Sequence, residues 1–249
     1  MSLPTDNRDA LPELAFYGLA GSSSTPADLI DEVRLGEEVG LGSVFLSERF
    51  TTKDAAVLAG AAAAVSERLG IGTAATNHQT RHPLVTATMA VSLHRLSGGR
   101  YCLGLGRGFD LLFDVIGLPR VTSAQLADII GVYRKLWHGE AVVRHDGPAG
   151  TYPYLQQDSR FDEDIPIILV AIGDATLRLA GQVADGVVLH TFLTDEALAR
   201  SVAVVRTAAK EAGRDPAAVR IWSVLATVED AVPEDARLRK LAGRLATYL

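Results

Sequence analysis

The chain has 249 residues, 48% hydrophobic and 22% charged, with 23 Gly and 10 Pro, which excludes a disordered or collagen-like chain and supplies apolar surface for one large core or two smaller ones. A formal charge of −6 and a pI near 5.5 disfavour a nucleic-acid surface, although 20 of the 24 basic residues are Arg, the side chain suited to bidentate capture of phosphate and carboxylate. The longest apolar run, Ala55 to Val65, falls short of the roughly 20 residues of a membrane helix, the start lacks the pattern of a signal peptide, and the lone Cys102 excludes an intrachain disulfide or a thiolate metal cluster, so the expected compartment is cytoplasmic.

In chain order, Glu13 to Ala20 reads as a buried strand and Pro26 to Val39 as a helix with Pro in its first turn and Gly40 at its end. Ser43 to Ser47 is strand-like, Lys53 to Leu69 an Ala-rich helix, Gly70 to Ala75 a strand, Leu84 to Leu96 a helix stopped by Ser97-Gly98-Gly99, and Arg100 to Gly106 the fourth strand. Arg107 to Pro119 is too irregular to assign, and a helix follows from Ser123 to Trp137. Alternation between Glu140 and Leu155 predicts a hairpin insertion around Asp146-Gly147. Ile165 to Ala171, Gly186 to His190 and Val219 to Val228 are further strands, separated by helices at Asp174 to Val183 and Asp195 to Ala212, with a last helix from Pro233.

Apolar strands without a polar face, alternating with helices, imply parallel strands covered by helices. Either a closed barrel or an open doubly wound sheet satisfies this. Seven core strands are expected in sequence order, with a gap or irregular closure between the first and the seventh.

Chemistry in such folds collects at the carboxyl ends of the strands. The residues there are Ser47-Glu48-Arg49, Thr76-Asn77-His78, Gly106-Arg107-Gly108, Ile172-Gly173-Asp174 and His190-Thr191-Phe192. Their convergence on one rim points to a ligand site. The run Gly104 to Gly108 is not a dinucleotide loop, because Phe109 occupies the last glycine position of that fingerprint and the run is not in an opening βαβ unit. It reads either as a tight turn or as a place where backbone and Arg107 approach an anionic or planar ligand. Arg107 could equally pair with Asp110. Asp174 reads as a helix N-cap, with phosphate binding at the same helix start as the alternative. Glu48 could simply pair with Arg49. His78 and His82 are four apart but lie in a loop-like stretch, so no metal site is expected.

The segment TAATNHQTRHPLVTATMAVSLHRLSGGRYCLGLGRG at Thr73 to Gly108 resembles the luciferase-like monooxygenase superfamily, and its TN..TRHP, LSGGR and GLGxG elements most resemble the deazaflavin branch that uses coenzyme F-420. Glu37 to Phe50 and Ile165 to Leu189 extend the resemblance over most of the chain. It implies a TIM-type barrel with an insertion in one domain over 1–249, and beside it the seven strands counted here make the barrel incomplete at the C-terminus, since relatives continue to an eighth. By the same resemblance Ala75, Thr76, Asn77, Gly106, Arg107 and Gly108 surround a deazaflavin or flavin ring, with Glu48 beside them, while Ile172, Gly173, Asp174, His190 and Thr191 serve its phosphate. It further implies a bulge with a non-proline cis peptide at Ala74-Ala75 or one bond later. The chain departs from the branch in having Glu48-Arg49 where Asp-His is common, and Phe109 where an acid often stands.

The function expected on this basis is hydride transfer between coenzyme F-420 and an organic substrate, with Glu48 as a proton relay, Arg49 fixing a substrate anion or carbonyl, and Arg49, Arg81 and Arg107 facing the coenzyme's anionic tail. The alternatives are an FMN-dependent monooxygenase using reduced flavin and oxygen, and a non-catalytic paralogue or dimer subunit. The expected partners are a small-molecule substrate and a second copy in a homodimer, without nucleic acid or membrane.

Overall fold

The computed structural model describes residues 11–20, 25–189 and 194–246. Its elements are β1 (Leu11–Tyr17), α1 (Leu29–Glu38), β2 (Leu41–Leu46), α2 (Ala55–Val65), β3 (Gly70–Thr73), α3 (Pro83–Leu96), β4 (Tyr101–Leu105), α4 (Asp110–Ile116), α5 (Ser123–Trp137), β5 (Val142–Gly147), β6 (Gly150–Leu155), β7 (Ile167–Ala171), α6 (Asp174–Val183), β8 (Gly186–Leu189), α7 (Asp195–Glu211), β9 (Arg220–Ser223) and α8 (Glu234–Ala246). The expected α/β order is observed. Several assignments change, and the strand expected at Val219 to Val228 is confined to Arg220–Ser223. Arg107 to Pro119 is not irregular throughout, since α4 forms inside it, and the first strand lies earlier than Glu13 to Ala20. Pro26–Asp28, expected as α-helix, is a 3-10 turn leading into α1.

Seven parallel strands form one curled sheet, a half-barrel, in the order β1-β2-β3-β4-β7-β8-β9, and β5 and β6 form a separate antiparallel hairpin. Side chains alternate between its faces. Val44, Leu46, Ile71, Leu103, Leu105, Ile167, Leu169, Val187 and Leu189 are buried in the large core to which the surrounding helices contribute. Phe45, Ala74, Ile168 and Val188 form a second buried cluster with Ala15, Tyr17, Cys102, Val170, Trp222 and Val224 packed against it. Burial of both faces is why the strands read as unbroken apolar runs rather than as alternating patterns.

Within the described residues β1 and β9 share no ladder, but side chains span the interval between them. Arg220 on β9 hydrogen-bonds Glu13 on β1 and lies 4.2 Å over the Trp222 ring. Trp222 in turn meets Phe45 edge-on, with ring centroids 5.3 Å apart. Among the described residues the sheet is thus open between its first and seventh strands, the gap expected from the strand count, with side-chain contacts across it.

The feature that shapes the mouth is a break in the β3–β4 ladder. Ladder pairing covers Ile71 with Tyr101 and Gly72 with Cys102. Thr73 Oγ1 then donates to the Gly104 carbonyl (2.9 Å) and accepts from its amide (2.8 Å). A Cβ on residue 104 would stand 1.6 Å from the Thr73 carbonyl oxygen, so only glycine permits this approach. Pairing resumes when the Thr76 amide donates to Gly104 O (3.0 Å) and the Gly106 amide to Thr76 O (2.9 Å). Ala74 and Ala75 therefore bulge out of the ladder toward β2, where the Ala74 amide donates to Leu46 O and the Glu48 amide to Ala75 O. The Ala74-Ala75 bond is cis, at the first of the two positions expected.

If the inner cluster holds the curl, Phe45→Ala should lower the unfolding free energy by about 3–5 kcal/mol. Urea denaturation followed by circular dichroism checks this. A loss below about 1 kcal/mol would remove the Phe45–Trp222 contact from the list of forces closing the sheet.

Candidate active site at the carboxyl edge of the sheet

The bulge sets the geometry of the first three loops. Glu48 follows β2, and its side chain is 7% exposed. Its Oε1 accepts from the Ala55 amide at the start of α2 (3.1 Å), and its Oε2 accepts from Thr76 Oγ1 (2.8 Å) and Arg81 Nη1 (2.9 Å). Arg81 also donates from Nη1 to Thr76 Oγ1 (3.2 Å) and from Nη2 to Asp54 Oδ2 (2.6 Å). Asp54 is the N-cap of α2, accepting from the Ala56 and Val57 amides (2.8 and 3.1 Å). Burial works against the Arg81 charge, but Glu48 and Asp54 outweigh it and raise its pKa above the ordinary value. Burial likewise opposes the Asp54 carboxylate. The Val57 amide and Arg81 overcome that and lower its pKa.

These contacts correct two readings. Glu48 pairs with Arg81 rather than with its neighbour Arg49, and Arg81 is held by two carboxylates and so is not left for an anionic tail. Arg49 is exposed, and among the described residues its side chain makes no hydrogen bond or ion pair. Beside it, Lys53 is buried, with Nζ donating to Leu19 O (2.7 Å). Burial and the Arg49 charge lower its pKa, against the opposing pull of Glu32. Glu48, Phe50, Asp54 and Arg81, with Lys53 and the threonines 51, 52 and 80, line a cavity of about 460 Å³.

Asn77 is buried and turns the chain, its Oδ1 accepting from the Gln79 and Thr80 amides (3.0 and 3.1 Å). His82 caps α3 through Nδ1, 3.3 Å from the Leu84 amide. His78 is 5% exposed, and neither ring nitrogen has a hydrogen-bond partner among the described residues. Burial pushes its pKa down to about 4, so it is neutral at pH 7. Its position inside a polar loop gave no sign of this burial. Among the described residues no group of three or more His, Cys, Asp and Glu side chains could hold a metal.

Gly106, Arg107 and Gly108 follow β4 directly. Arg107 Nε donates to Val121 O (2.7 Å), and the expected partner Asp110 lies instead 3.7 Å from Arg120. Ile172 and Gly173 are exposed after β7, and the N-cap of α6 is Gly173 rather than Asp174, which sits in the first turn and pairs with Arg200. His190 and Thr191 lie outside the described residues. The structure thus brings Glu48, Ala75 and Thr76 into one bonded unit, sets Gly106 against Ala75, and places Ile172 to Asp174 between the end of β7 and the start of α6. Asp54 and Lys53 were missed as site residues, although an Asp immediately before an Ala-rich run is a legible N-cap signal.

A curled parallel sheet wrapped by helices, with polar loops gathered at its carboxyl edge, defines the (β/α)-barrel class, in which binding chemistry generally sits at that edge. The chain belongs to the luciferase-like monooxygenase family, whose model matches residues 10–247. It is 30% identical over 209 residues to 5,10-methylenetetrahydromethanopterin reductase of Methanolobus tindarius, covering 81% of this chain and 62% of that protein. It is 34% identical over 187 residues to the F-420-dependent glucose-6-phosphate dehydrogenase of Beutenbergia cavernae, covering 68% of this chain and 54% of that one. The chain therefore spans less than two thirds of the length of either relative. In fold it is similar to the coenzyme F-420-dependent tetrahydromethanopterin reductase of Methanopyrus kandleri, with a TM-score of 0.73 at 22% identity over 84% of this chain and 64% of that one. A monooxygenase from Streptomyces bottropensis gives 0.70 at 20% identity over 93% and 77%. Among the described residues no helix is long and apolar enough to cross a membrane.

A buried histidine with a lowered pKa makes stability depend on pH in a fixed sense. Unfolded, its pKa returns to near 6.5, so its contribution is complete above pH 6.5 and is lost as the pH falls toward 4, by about 3 kcal/mol in all. His78→Phe should flatten the stability curve across that window relative to wild type, read from urea midpoints at several pH values. Parallel curves would mean that His78 is solvated and protonates freely.

Proposed function

We propose that the chain is a deazaflavin-dependent oxidoreductase that moves hydride between coenzyme F-420 and an organic substrate at the carboxyl edge of the sheet. The observation that carries the proposal is the Glu48–Thr76–Arg81 unit locked beside the Ala74–Ala75 bulge, in a chain whose relatives at 30–34% identity include F-420-dependent dehydrogenases. A flat ring suits this surface. Next to the bulge, a Cβ on residue 106 would come within 2.9 Å of the Ala75 Cβ, so the backbone there presents no side chain of its own. At residue 173 a Cβ would meet nothing within 4 Å, leaving the start of α6 open to a phosphate.

When bound, the coenzyme supplies a two-electron hydride from its ring. The protein's part is placement and charge. Thr76, Asn77, Gly106, Arg107 and Gly108 would flank the ring, and Ile172, Gly173 and Asp174, with His190 and Thr191, would serve the phosphate. Glu48 accepts three hydrogen bonds, so its first role is to fix Thr76 and the α2 start, while the second lone pair on Oε1 leaves it able to pass a proton. Arg49, exposed beside the cavity, is the side chain able to meet a substrate carbonyl or anion.

Titration of the purified chain with coenzyme F-420 and, separately, with FMN tests this reading. Saturable quenching of deazaflavin fluorescence with much weaker FMN binding is expected. Preference for FMN would move the protein to the reduced-flavin monooxygenase reading, and failure to bind either by a folded sample would favour a non-catalytic one. Arg107→Ala should weaken deazaflavin binding by about 1–3 kcal/mol, the scale of a lost charge-assisted hydrogen bond. Unchanged affinity at fixed salt would leave Arg107 as a support for the Val121 turn alone.

A further inference from the structure

The turn along one wall of the cavity sets two cations opposite each other. Arg49 and Lys53 pair across it as an isolated antiparallel bridge, the Arg49 amide donating to Lys53 O (3.0 Å) and the Lys53 amide to Arg49 O (2.9 Å). Residues paired in this way carry their side chains on one face, with Cβ atoms about 5 Å apart, and like charges so placed repel. Burial is the larger cause that lowers the Lys53 pKa, and the Arg49 charge is the next, so the two head groups feel each other.

The described residues do not relieve this repulsion by a direct bond. Lys53, 8% exposed and part of the cavity lining, uses one of its three N–H donors on the Leu19 carbonyl (2.7 Å). Arg49 has no side-chain partner among the described residues. The acids around them are engaged elsewhere. Glu32, whose charge opposes the lowering of the Lys53 pKa, accepts from the Leu19 amide (2.6 Å). Glu48 accepts from the Ala55 amide, Thr76 and Arg81, and Asp54 from the Ala56 and Val57 amides and Arg81.

Donors are thus in excess at this one point, and the acceptors near it are filled. A ligand that settles there brings acceptor oxygens and negative charge. Two oxygens on one planar group match two facing cations. A dianion would lie against the Glu48 and Asp54 carboxylates of the same cavity, so one negative charge fits better than two.

We infer that Arg49 and Lys53 together bind one carboxylate group of the substrate at the cavity wall formed by residues 50–53. That the carboxylate belongs to a substrate rests on the proposed function. The carboxylate site itself does not. The anionic tail of the coenzyme is a second source of the same chemistry, and the test separates the two.

The chain has four lysines, Lys53, Lys135, Lys210 and Lys240. Protein grown on isotope-labelled lysine therefore gives four side-chain NMR signals, and the one lost in Lys53→Met is that of Lys53. Sodium propionate, propionamide and sodium phosphate are titrated in separately at fixed pH and ionic strength. Propionate should move the Lys53 signal saturably while the other three stay in place, and propionamide should leave all four unmoved. With propionate bound, the Lys53 pKa should rise toward the ordinary lysine value. Arg49→Gln alters an exposed side chain without a partner among the described residues, and it should weaken propionate binding about tenfold, the scale of one charge-assisted hydrogen bond. A shift shared by all four lysines, an equal response to propionamide, tighter binding of phosphate than of propionate, or unchanged affinity in Arg49→Gln overturns the inference. Coenzyme F-420 is then added to the propionate-bound chain. Retained propionate supports a substrate carboxylate, whereas competitive displacement gives the site to the coenzyme tail and overturns the assignment to substrate. Coenzyme binding without any propionate response refutes this inference alone. A saturable Lys53 response without coenzyme binding refutes the functional reading and leaves the carboxylate site standing.

Discussion

One guanidinium ties together the three chain segments that make the mouth. Arg81 reaches the end of β2 through Glu48, the end of β3 through the Thr76 hydroxyl, and the start of α2 through Asp54. Each of those residues has a second bond that fixes it locally: Glu48 to the Ala55 amide, the Thr76 amide to Gly104, Asp54 to the first amides of α2. Removal of the guanidinium would leave Glu48 buried at 7% side-chain exposure without a cation, the situation in which breaking an ion pair costs more than the pair contributes. The network is therefore better described as fixing a geometry than as adding stability.

That geometry is required because the backbone beside it is irregular. A ladder running without interruption past Thr73 would have brought β3 side chains to the edge with the ordinary alternation. The bulge instead gives the Ala74 amide and the Ala75 carbonyl to β2, while Thr76 returns to β4, so the second, third and fourth strands are locked to one another around two small residues. Gly104 makes the return possible, since any side chain there would meet the Thr73 carbonyl. The smallness of Ala74, Ala75, Gly104 and Gly106 in one place is a steric consequence of this crossing.

Much of the architecture was legible because burial on both faces writes each strand as an apolar run and the intervening helices carry caps and stops. The helices Ser123–Trp137 and Asp174–Val183 have the expected limits, set by the Thr122–Gln125 capping box and by the apolar spacing. The short α4 was not legible. Its seven residues DLLFDVI set only Asp110 and Asp114 on a polar side, and the exposed Leu111, Leu112, Val115 and Ile116 around the buried Phe113 leave no single apolar stripe of helical period. Pairings between distant residues were equally out of reach. Adjacency suggested Glu48 with Arg49 and Arg107 with Asp110, whereas the fold supplies Arg81 and the Val121 carbonyl from 33 and 14 residues away. The burial of His78 depends on the same long-range packing.

The two sides of the mouth follow from these two local outcomes. On the β2–β3 side, the side chains of Glu48, Thr76, Arg81 and Asp54 satisfy one another, while Arg49 beside them has no side-chain partner among the described residues. On the β4 side, Arg120 gathers both acids of α4 and leaves its Phe109 face without charge.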